Sequence, residues 1–349
     1  MERSETHQTS AQGGFTLHPK PSIIRQRVAD PRKAGSASLL LNIRNFMENL
    51  LIIHQGALGD FVATFPAIIR LKRHFHRIDV LCQSRLGKLA CLLNIAEKHF
   101  PLESAVFASL YTDAVNPAVQ NILTVYHAIV LFSYSEQLEL TIRKISGRKV
   151  RRIRPRAEVS QPVHITEHIL SNLVKYKLLE KSDSDISHTD KRDRLYDPGK
   201  IWLHPGSGSR RKNWGISNFM EIERILRSED MKPEFILGPG EHFLKEILEK
   251  NHSRVHIISD LTEIVSFFKK AGGFIGNDSG LSHLAAFMGV PTVAIFGPSD
   301  PTRWQPVGQS VKIVRPSDLD CSPCFETNKD NCDKMECFDR TTPEKVLRR

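Results

Sequence analysis

The composition of the 349-residue chain, 40% hydrophobic and 25% charged, is that of a soluble globular protein long enough to form two domains. Its formal net charge of +10 favours acidic partners such as phosphorylated small molecules, anionic lipids or nucleic acids. No apolar run approaches the length of a membrane span, and the polar first ten residues indicate no secretory signal, so we expect a cytoplasmic protein. Six cysteines do not suggest a disulfide scaffold.

Residues 1–48 are polar and basic with little hydrophobic periodicity, and they predict a poorly ordered extension. The three leucines at 39–41 leave a membrane-surface role open, although this segment is too short to act as an anchor.

Beyond the extension, apolar segments alternate with helical patterns, which predicts an α/β fold with parallel, doubly wound sheets. Strands are predicted at residues 50–53, 78–82 and 125–132 of a first Rossmann-like domain (49–180), and at 201–203, 234–237, 255–258, 274–275 and 293–296 of a second (200–320). Helices are predicted at 66–75, 164–179, 219–226, 241–250, 261–270 and after residue 280. The charged residues 181–199 resemble an interdomain linker. The two domains would face each other across a cleft, where ligands commonly bind.

The first glycine turn, Gly56 to Asp60, follows a predicted buried strand. It lacks the dinucleotide fingerprint and the Lys-Ser or Lys-Thr of a phosphate loop. Asp60 could cap a helix, but Pro66 would disturb a helix that began so early, because proline lacks an N–H group. We therefore predict a helix start near Pro66, capped by Thr64 or Phe65, and a free Asp60 on a loop, where its carboxylate could act as a general base.

The segment 143–156 holds eight basic residues and no acidic one. It fits either a solvated edge strand, whose charges deter aggregation, or a contact for an anionic acceptor or an anionic membrane leaflet.

A second glycine loop, at residues 206–209, follows the strand at 201–203. Ser207 and Gly208 could bring hydroxyl and backbone donors close to an anion, and Lys212 would add a positive charge suited to phosphate. The alternative is a flexible polar loop with solvated basic residues. The position at the end of a strand favours a ligand site.

The segment 274–298 predicts a strand, a turn, an amphipathic helix of about ten residues and a second strand. Gly289 suits the left-handed position that ends the helix. Asp278 fits a helix N-cap, and Ser279 and Gly280 would offer N–H groups to a phosphate. His283 lies on the same helical face as Ser279, and its role could be structural or functional.

The C-terminal tail, 321–349, contains Cys321, Cys324, Cys332 and Cys337. Four cysteines this close could bind zinc, although the second pair lacks the spacing of a zinc knuckle; reduced, partly buried thiols are the alternative.

Four motifs together resemble glycosyltransferase family 9, the ADP-heptose:lipopolysaccharide heptosyltransferases. They are GALGDFVATFPAI, HPGSGSRRKNW, GNDSGLSHLAAFMGVPTVAIFGPSDPTRWQPVG and CSPCF, in family order. The resemblance implies a GT-B fold with the acceptor at the first domain and the donor nucleotide at the second. It also implies inverting, metal-independent transfer, without a cofactor, from a nucleotide sugar such as ADP-heptose to a lipid-linked or core saccharide. The departures are the N-terminal extension and a short closing helix.

The resemblance assigns Asp60 as the base and Lys212 as the phosphate-binding lysine. Ser279 and Gly280 match the helix-start pair that holds the diphosphate. Asp278 and His283 belong to the same motif, and Glu241 is a candidate for the ribose hydroxyls.

The implied acceptor is a phosphorylated lipid-linked saccharide, which would bring the enzyme into peripheral contact with the cytoplasmic face of the inner membrane. No nucleic acid is expected, because no aromatic-basic repeat is present. A nucleotide-sugar epimerase or hydrolase, or a non-catalytic nucleotide-binding protein on the same fold, remains the alternative.

Overall fold

The computed structural model describes residues 48–112, 116–184, 197–316, 319, 321, 323–326, 332 and 335–348. The predicted N-terminal extension therefore lies outside the described residues apart from Glu48, and so do residues 185–196 of the predicted linker. None of the helices within the described ranges is long and apolar enough to cross a membrane.

The first half of the described chain forms a parallel sheet in the order β3-β2-β1-β4-β5. The central strand lies between β2 and β4, as expected for a doubly wound sheet. The strands are β1 (Asn49–His54), β2 (Arg77–Cys82), β3 (Lys98–Pro101), β4 (Ala128–Phe132) and β5 (Val150–Ile153). The helices are α1 (Leu58–Val62), α2 (Phe65–Leu71), α3 (Ser84–Leu92), α4 (Ala105–Ala108), α5 (Pro117–Thr124), α6 (Glu136–Ser146) and α7 (Ile165–Lys175).

The second half forms another parallel sheet, in the order β11-β10-β9-β6-β7-β8. Its strands are β6 (Lys200–His204), β7 (Lys232–Leu237), β8 (Val255–Ile257), β9 (Gly273–Asn277), β10 (Thr292–Ile295) and β11 (Val311–Val314). Its helices are α8 (Ile216–Ser228), α9 (Lys245–Lys250), α10 (Ile264–Lys269), α11 (Gly280–Phe287), α12 (Pro301–Trp304), α13 (Glu336–Asp339) and α14 (Pro343–Leu347). The predicted α/β fold with two doubly wound sheets is thus confirmed, while the exact domain boundaries stay a prediction.

Short 3-10 helical turns lie at Ser109–Tyr111, Lys181–Ser184, Arg210–Lys212, Pro239–Leu244 and Leu261–Glu263. The predicted helices at 241–250 and 261–270 each consist of such a turn followed by a short α-helix.

Two edge strands, β3 and β11, were missed in the sequence. Strands β3 and β11 are only four residues long and each includes at least one polar residue, so neither carries the continuous apolar run of a central strand. The basic run 143–156 spans the end of α6, a turn at Gly147 and the edge strand β5, so an edge strand is confirmed for residues 150–153, while the contact with an anionic acceptor or leaflet stays a prediction.

One hydrophobic core joins the two halves on one side of the sheets. Phe65 of α2 packs edge-on against Phe287 of α11, with ring centroids 5.1 Å apart. Core residues of α3 and α10 belong to the same buried cluster. This packing brings the carboxyl ends of β1 and β9 to face each other.

Candidate functional site

A cavity of about 210 Å³ opens where the carboxyl ends of β1 and β9 meet. Both halves of the molecule and the tail contribute to it. Its walls are Ala57, Gly59, Asp60, Arg156, Gly208, Ser209, Lys212, Asp278, Ser279, Gly280, His283, Trp304, Phe325 and Glu326. The cavity therefore brings together seven of the nine predicted site residues.

Asp60 lies in the short helix α1, so its predicted placement on a loop was wrong. It is not the N-cap either, because Ala57 occupies that position. The argument from Pro66 was correct only for the next helix: α2 begins at Phe65 with Thr64 as its N-cap. Since Pro66 cannot continue a preceding helix, the chain makes two short helices instead of one. The Asp60 carboxylate remains on the cavity wall.

His54 supports the turn that carries Asp60, and the sequence analysis gave it no role. Its Nδ1 accepts the Gly56 N–H at 3.2 Å, and its ring also hydrogen-bonds to the Asp60 backbone. A Cβ on Gly56 would lie 2.7 Å from the His54 ring and 2.9 Å from the Asp60 Cβ, so only glycine fits this close approach. Burial lowers the pKa of His54 to about 3, so its ring is neutral near pH 7.

On the opposite wall, the Lys212 ammonium lies 2.7 Å from the Asp278 carboxylate. Asp278 is not the helix N-cap, contrary to the sequence prediction. The Asp278 N–H donates to the Ile295 carbonyl, so the Asp278 backbone continues the pairing of β9 with β10. Ser279, whose backbone is extended, is the N-cap of α11. The Ser279 Oγ accepts the N–H of Ser282 at 3.3 Å.

The first turns of α1 and α11 touch each other at Gly280. A Cβ at Gly280 would lie 2.8 Å from the Leu58 Cβ and 2.9 Å from the Gly59 nitrogen. Two helix N-termini, each with a partial positive charge, therefore border the same cavity.

Gly208 and Ser209 of the second glycine loop line the cavity, whereas Ser207 of that loop and Glu241 of the turn at Pro239–Leu244 do not. The Ser207 hydroxyl lies 2.7 Å from the Ser209 carbonyl and 2.6 Å from Asn213 Oδ1, so it fixes the shape of the loop. The Glu241 carboxylate accepts the Gly238 N–H at 2.8 Å and packs closely over Gly206.

His283 is buried at the base of the cavity. Burial lowers its pKa to about 4, against the opposing effect of the negative charge on Asp278. The ring is therefore neutral near pH 7 and offers hydrogen bonds without a positive charge.

Four cavity residues were missed in the sequence: Arg156, Trp304, Phe325 and Glu326. Arg156 ends the basic run and approaches Asp60, with its Nη2 3.7 Å from Oδ1. Its guanidinium also lies 5.1 Å from the centroid of the Trp304 ring. Trp304 and Phe325 could have been found from their place in the quoted motifs, DPTRW and CSPCF, whereas Glu326 follows the last motif and had no such signal.

The tail cysteines do not form a metal centre in the part of the chain that the structure describes, where no group of three or more His, Cys, Asp or Glu residues is arranged to hold a metal ion. Cys324 and Cys337 are buried, Cys332 is half-buried and Cys321 is exposed, and none of the four forms a disulfide within the part of the chain that the structure describes. Burial raises the pKa of Cys337 to about 11, which keeps the thiol protonated. The zinc alternative therefore finds no support among these residues.

A family model described as glycosyltransferase family 9 (heptosyltransferase) matches residues 149–334, more than half of the chain. A lipooligosaccharide heptosyltransferase 2 from Campylobacter jejuni is 25% identical over 309 residues, which cover 83% of this chain and 93% of that protein.

Solved structures share the fold. A glycosyltransferase family 9 protein from Veillonella parvula has a TM-score of 0.67 at 14% identity, covering 86% of this chain and 95% of its own. The ADP-heptose lipopolysaccharide heptosyltransferase II of E. coli has a TM-score of 0.66 at 15% identity, covering 86% and 96%. These likenesses confirm the predicted GT-B architecture. The chain belongs to glycosyltransferase family 9.

Proposed function

We propose that the protein is an inverting heptosyltransferase that moves heptose from ADP-heptose to a lipopolysaccharide core or related saccharide. The observation that carries this proposal is the opposition of two kinds of group across one cavity. A carboxylate, Asp60, lies on the side of the first sheet, and a cation and a helix N-terminus, Lys212 and α11, lie on the side of the second. The names of the relatives from C. jejuni and E. coli support heptose and ADP-heptose as the substrates.

In this mechanism Asp60 takes the proton from an acceptor hydroxyl as that oxygen forms a bond to the anomeric carbon of heptose. On the opposite face, the bond from the anomeric carbon to the diphosphate breaks, and ADP leaves with the electron pair. Attack and departure on opposite faces invert the anomeric configuration.

The charge that develops on the diphosphate is stabilised by groups already in place. Lys212 supplies a positive charge, and the N-terminus of α11 at Ser279 and Gly280 supplies backbone donors and a favourable dipole. Asp278 holds Lys212 toward the cavity in the free protein. These groups fit transfer without a metal ion or cofactor.

The other predicted donor-binding residues stay predictions, and their positions relative to the cavity differ. Gly208 and His283 border the cavity, so direct contact with the donor is consistent with their positions. Ser207 acts from behind, through the conformation of its loop. Glu241 lies outside the cavity wall, next to Gly206, and its contact with the ribose rests on the family resemblance alone.

An adjoining cavity of about 400 Å³ is the proposed acceptor side. It shares Arg156, Phe325 and Glu326 with the first cavity and adds Arg154 and Tyr134. An arginine beside the base and an exposed tyrosine ring suit a phosphorylated saccharide. Lys144, Arg148 and Lys149 are exposed at the end of α6 and in the turn before the edge strand β5, and these positive charges support peripheral contact with an anionic leaflet at the cytoplasmic face of the inner membrane.

The decisive experiment screens ADP-, GDP- and UDP-sugars for binding by calorimetry and then measures nucleotide release with and without core saccharide acceptors. The proposal expects ADP-heptose to bind, ADP release to depend on the acceptor, and the product linkage to be inverted by NMR. Free sugar or an isomerised donor without an acceptor would instead identify a hydrolase or an epimerase. Absence of binding by every nucleotide sugar would contradict the enzyme assignment.

A further inference from the structure

Two consecutive residues of the tail, Phe325 and Glu326, border both the donor-side and the acceptor-side cavities. They lie outside the strand-end loops that build the rest of the site. The contacts of each residue point to a different half of the proposed reaction.

The described part of the tail is tied firmly to the second sheet. The N–H groups of Cys324 and Phe325 both donate to the carbonyl of Pro298, at 2.9 and 3.0 Å, directly after β10. Further along the tail, the Trp214 indole donates to the Thr341 carbonyl at 3.0 Å. Backbone hydrogen bonds therefore hold Phe325, and with it the start of Glu326, in place independently of any ligand.

Phe325 contacts the cation on the donor side. Its ring centroid lies 4.4 Å from Lys212 Nζ and 5.5 Å from the guanidinium carbon of Arg211. The ring faces of aromatic residues attract cations at this range. Lys212 is thus restrained both by the Asp278 carboxylate and by this ring, and a lysine on its flexible stem otherwise has many rotamers.

Glu326 contacts the acceptor side. One carboxylate oxygen accepts the indole N–H of Trp304 at 2.9 Å, and the other pairs with the buried Arg303, with 2.8 Å between the oxygen and Nε. Arg303 in turn donates to the carbonyls of Ala157 and Gln161, at 3.0 and 2.8 Å.

These contacts fix the orientation of the Trp304 ring, on whose face Arg156 rests beside Asp60. Glu326 is therefore linked to Arg156, which lies beside the proposed base Asp60, through the side chain of Trp304 alone.

We propose that Phe325 and Glu326 are positioning residues that set the two sides of the transfer site from the tail. Phe325 holds Lys212 in place for the diphosphate of the donor. Glu326 holds Trp304, and through it Arg156, in place for the acceptor. This inference rests on the proposed function for its assignment of donor and acceptor sides. Neither residue takes part in the chemistry.

The donor arm is tested with Phe325→Leu, which removes the ring, and Phe325→Tyr, which keeps it. We expect Leu to weaken ADP binding by about three- to tenfold, and Tyr to retain it, because the loss is that of a partly buried cation–ring contact. In a Lys212→Met background, Phe325→Leu should have no further effect on ADP affinity. Equal behaviour of Leu and Tyr, or an unchanged loss without Lys212, would overturn this arm.

The acceptor arm is tested with Trp304→Phe, which keeps a ring but loses the N–H that Glu326 accepts, and with Glu326→Gln. We expect a several-fold rise in the acceptor KM that exceeds any change in ADP affinity, and a smaller loss for Trp304→Phe than for Trp304→Ala. If Glu326→Gln fails to fold, because Arg303 is left without its counter-charge, the acceptor KM of Trp304→Phe still tests this arm of the proposal. A lower melting temperature with both KM values unchanged would mean that Glu326 is only structural.

ADP binding by calorimetry separates this inference from the proposed function. A wild-type protein that binds ADP but transfers no heptose would contradict the proposed function, while the effect of Phe325→Leu on ADP affinity would still be measurable. If the enzyme transfers heptose and substitutions of both tail residues leave its ADP affinity and acceptor KM unchanged, only the inference is contradicted.

Discussion

The two halves of the molecule build their walls of the cavity in different ways. The first sheet offers Asp60 from a single short helix, with 17% of its side chain exposed, beside an arginine that is 45% exposed. The second sheet offers the paired Lys212 and Asp278, with Asp278 only 6% exposed, together with the buried His283 and a helix N-terminus.

The Lys212–Asp278 ion pair is formed before any ligand arrives, whereas the partly exposed carboxylate of Asp60 stays accessible to an incoming hydroxyl. This difference fits a donor site that is preorganised and an acceptor site that is open.

The strongest test of this contrast is Asp60→Asn, which keeps the shape of the side chain but removes the base. We expect transfer to fall by about 10²–10⁴ while ADP affinity stays unchanged, because Asp60 acts on the acceptor. Initial rates of ADP release and calorimetry measure the two quantities. Asp230→Asn is a matched control, since Asp230 is exposed and its φ of 58° suits asparagine equally well. Wild-type turnover in Asp60→Asn would contradict the assignment of the base.

The next test breaks the paired charges of the second half. Lys212→Met should weaken ADP binding by about 10- to 100-fold, the value of a charge-assisted hydrogen bond to an anion. It should also lower the free energy of unfolding, because it leaves the buried Asp278 without its partner.

The double variant Lys212→Met, Asp278→Asn separates these two effects. We expect it to recover stability in urea unfolding but not ADP affinity. Recovery of ADP affinity as well would mean that Lys212 serves only to neutralise Asp278.

A third test acts at the contact between the halves. Gly280→Ala would place a methyl group against Leu58 and the Gly59 backbone, so α1 and α11 must separate. We expect a loss of about 1–3 kcal/mol in stability and a several-fold fall in transfer.

Gly289→Ala, at the other end of α11, is its control. Gly289 has a φ of 76°, and an added Cβ would meet nothing within 4 Å. The control should cost stability through backbone strain alone and leave the kinetics of the folded enzyme unchanged. A similar kinetic loss in both variants would mean that the contact at Gly280 has no special role.

The sequence revealed the parts of the site that depend on local pattern. Buried central strands show as apolar runs, and parallel sheets collect the following loops at one edge, so Asp60, Gly208 and Ser279 could be placed near each other. Local pattern could not show that five residues around Asp60 form a helix, because so short a segment has little helical preference of its own.

Contacts between distant parts of the chain were beyond the sequence. The pair of Lys212 and Asp278 joins residues 66 positions apart, and nothing local to either distinguishes that pairing from a solvated lysine and a capping aspartate. The contact between Arg156 and Trp304 likewise depends on tertiary packing, which no local sequence pattern reveals. The tail was interpreted through its cysteines, while the residues that reach the cavity are the phenylalanine and glutamate that follow them.

The last test concerns acid stability, and it asks whether water is excluded from His283 as its burial indicates. The pKa of His283 is lowered to about 4, whereas in the unfolded chain it would be about 6.5. Between these values the unfolded state binds a proton that the folded state does not. Stability from this group is therefore full above pH 6.5 and is lost as the pH falls toward 4, at up to about 1.4 kcal/mol per pH unit.

Urea unfolding of His283→Asn at pH 7, 6 and 5 should show a shallower loss than wild type, whereas the exposed His76→Asn should match wild type. An identical slope in all three proteins would mean that water or a counter-charge reaches His283. The cavity wall built by the second sheet would then be accessible to water like that built by the first sheet, and the contrast between the two halves would fail.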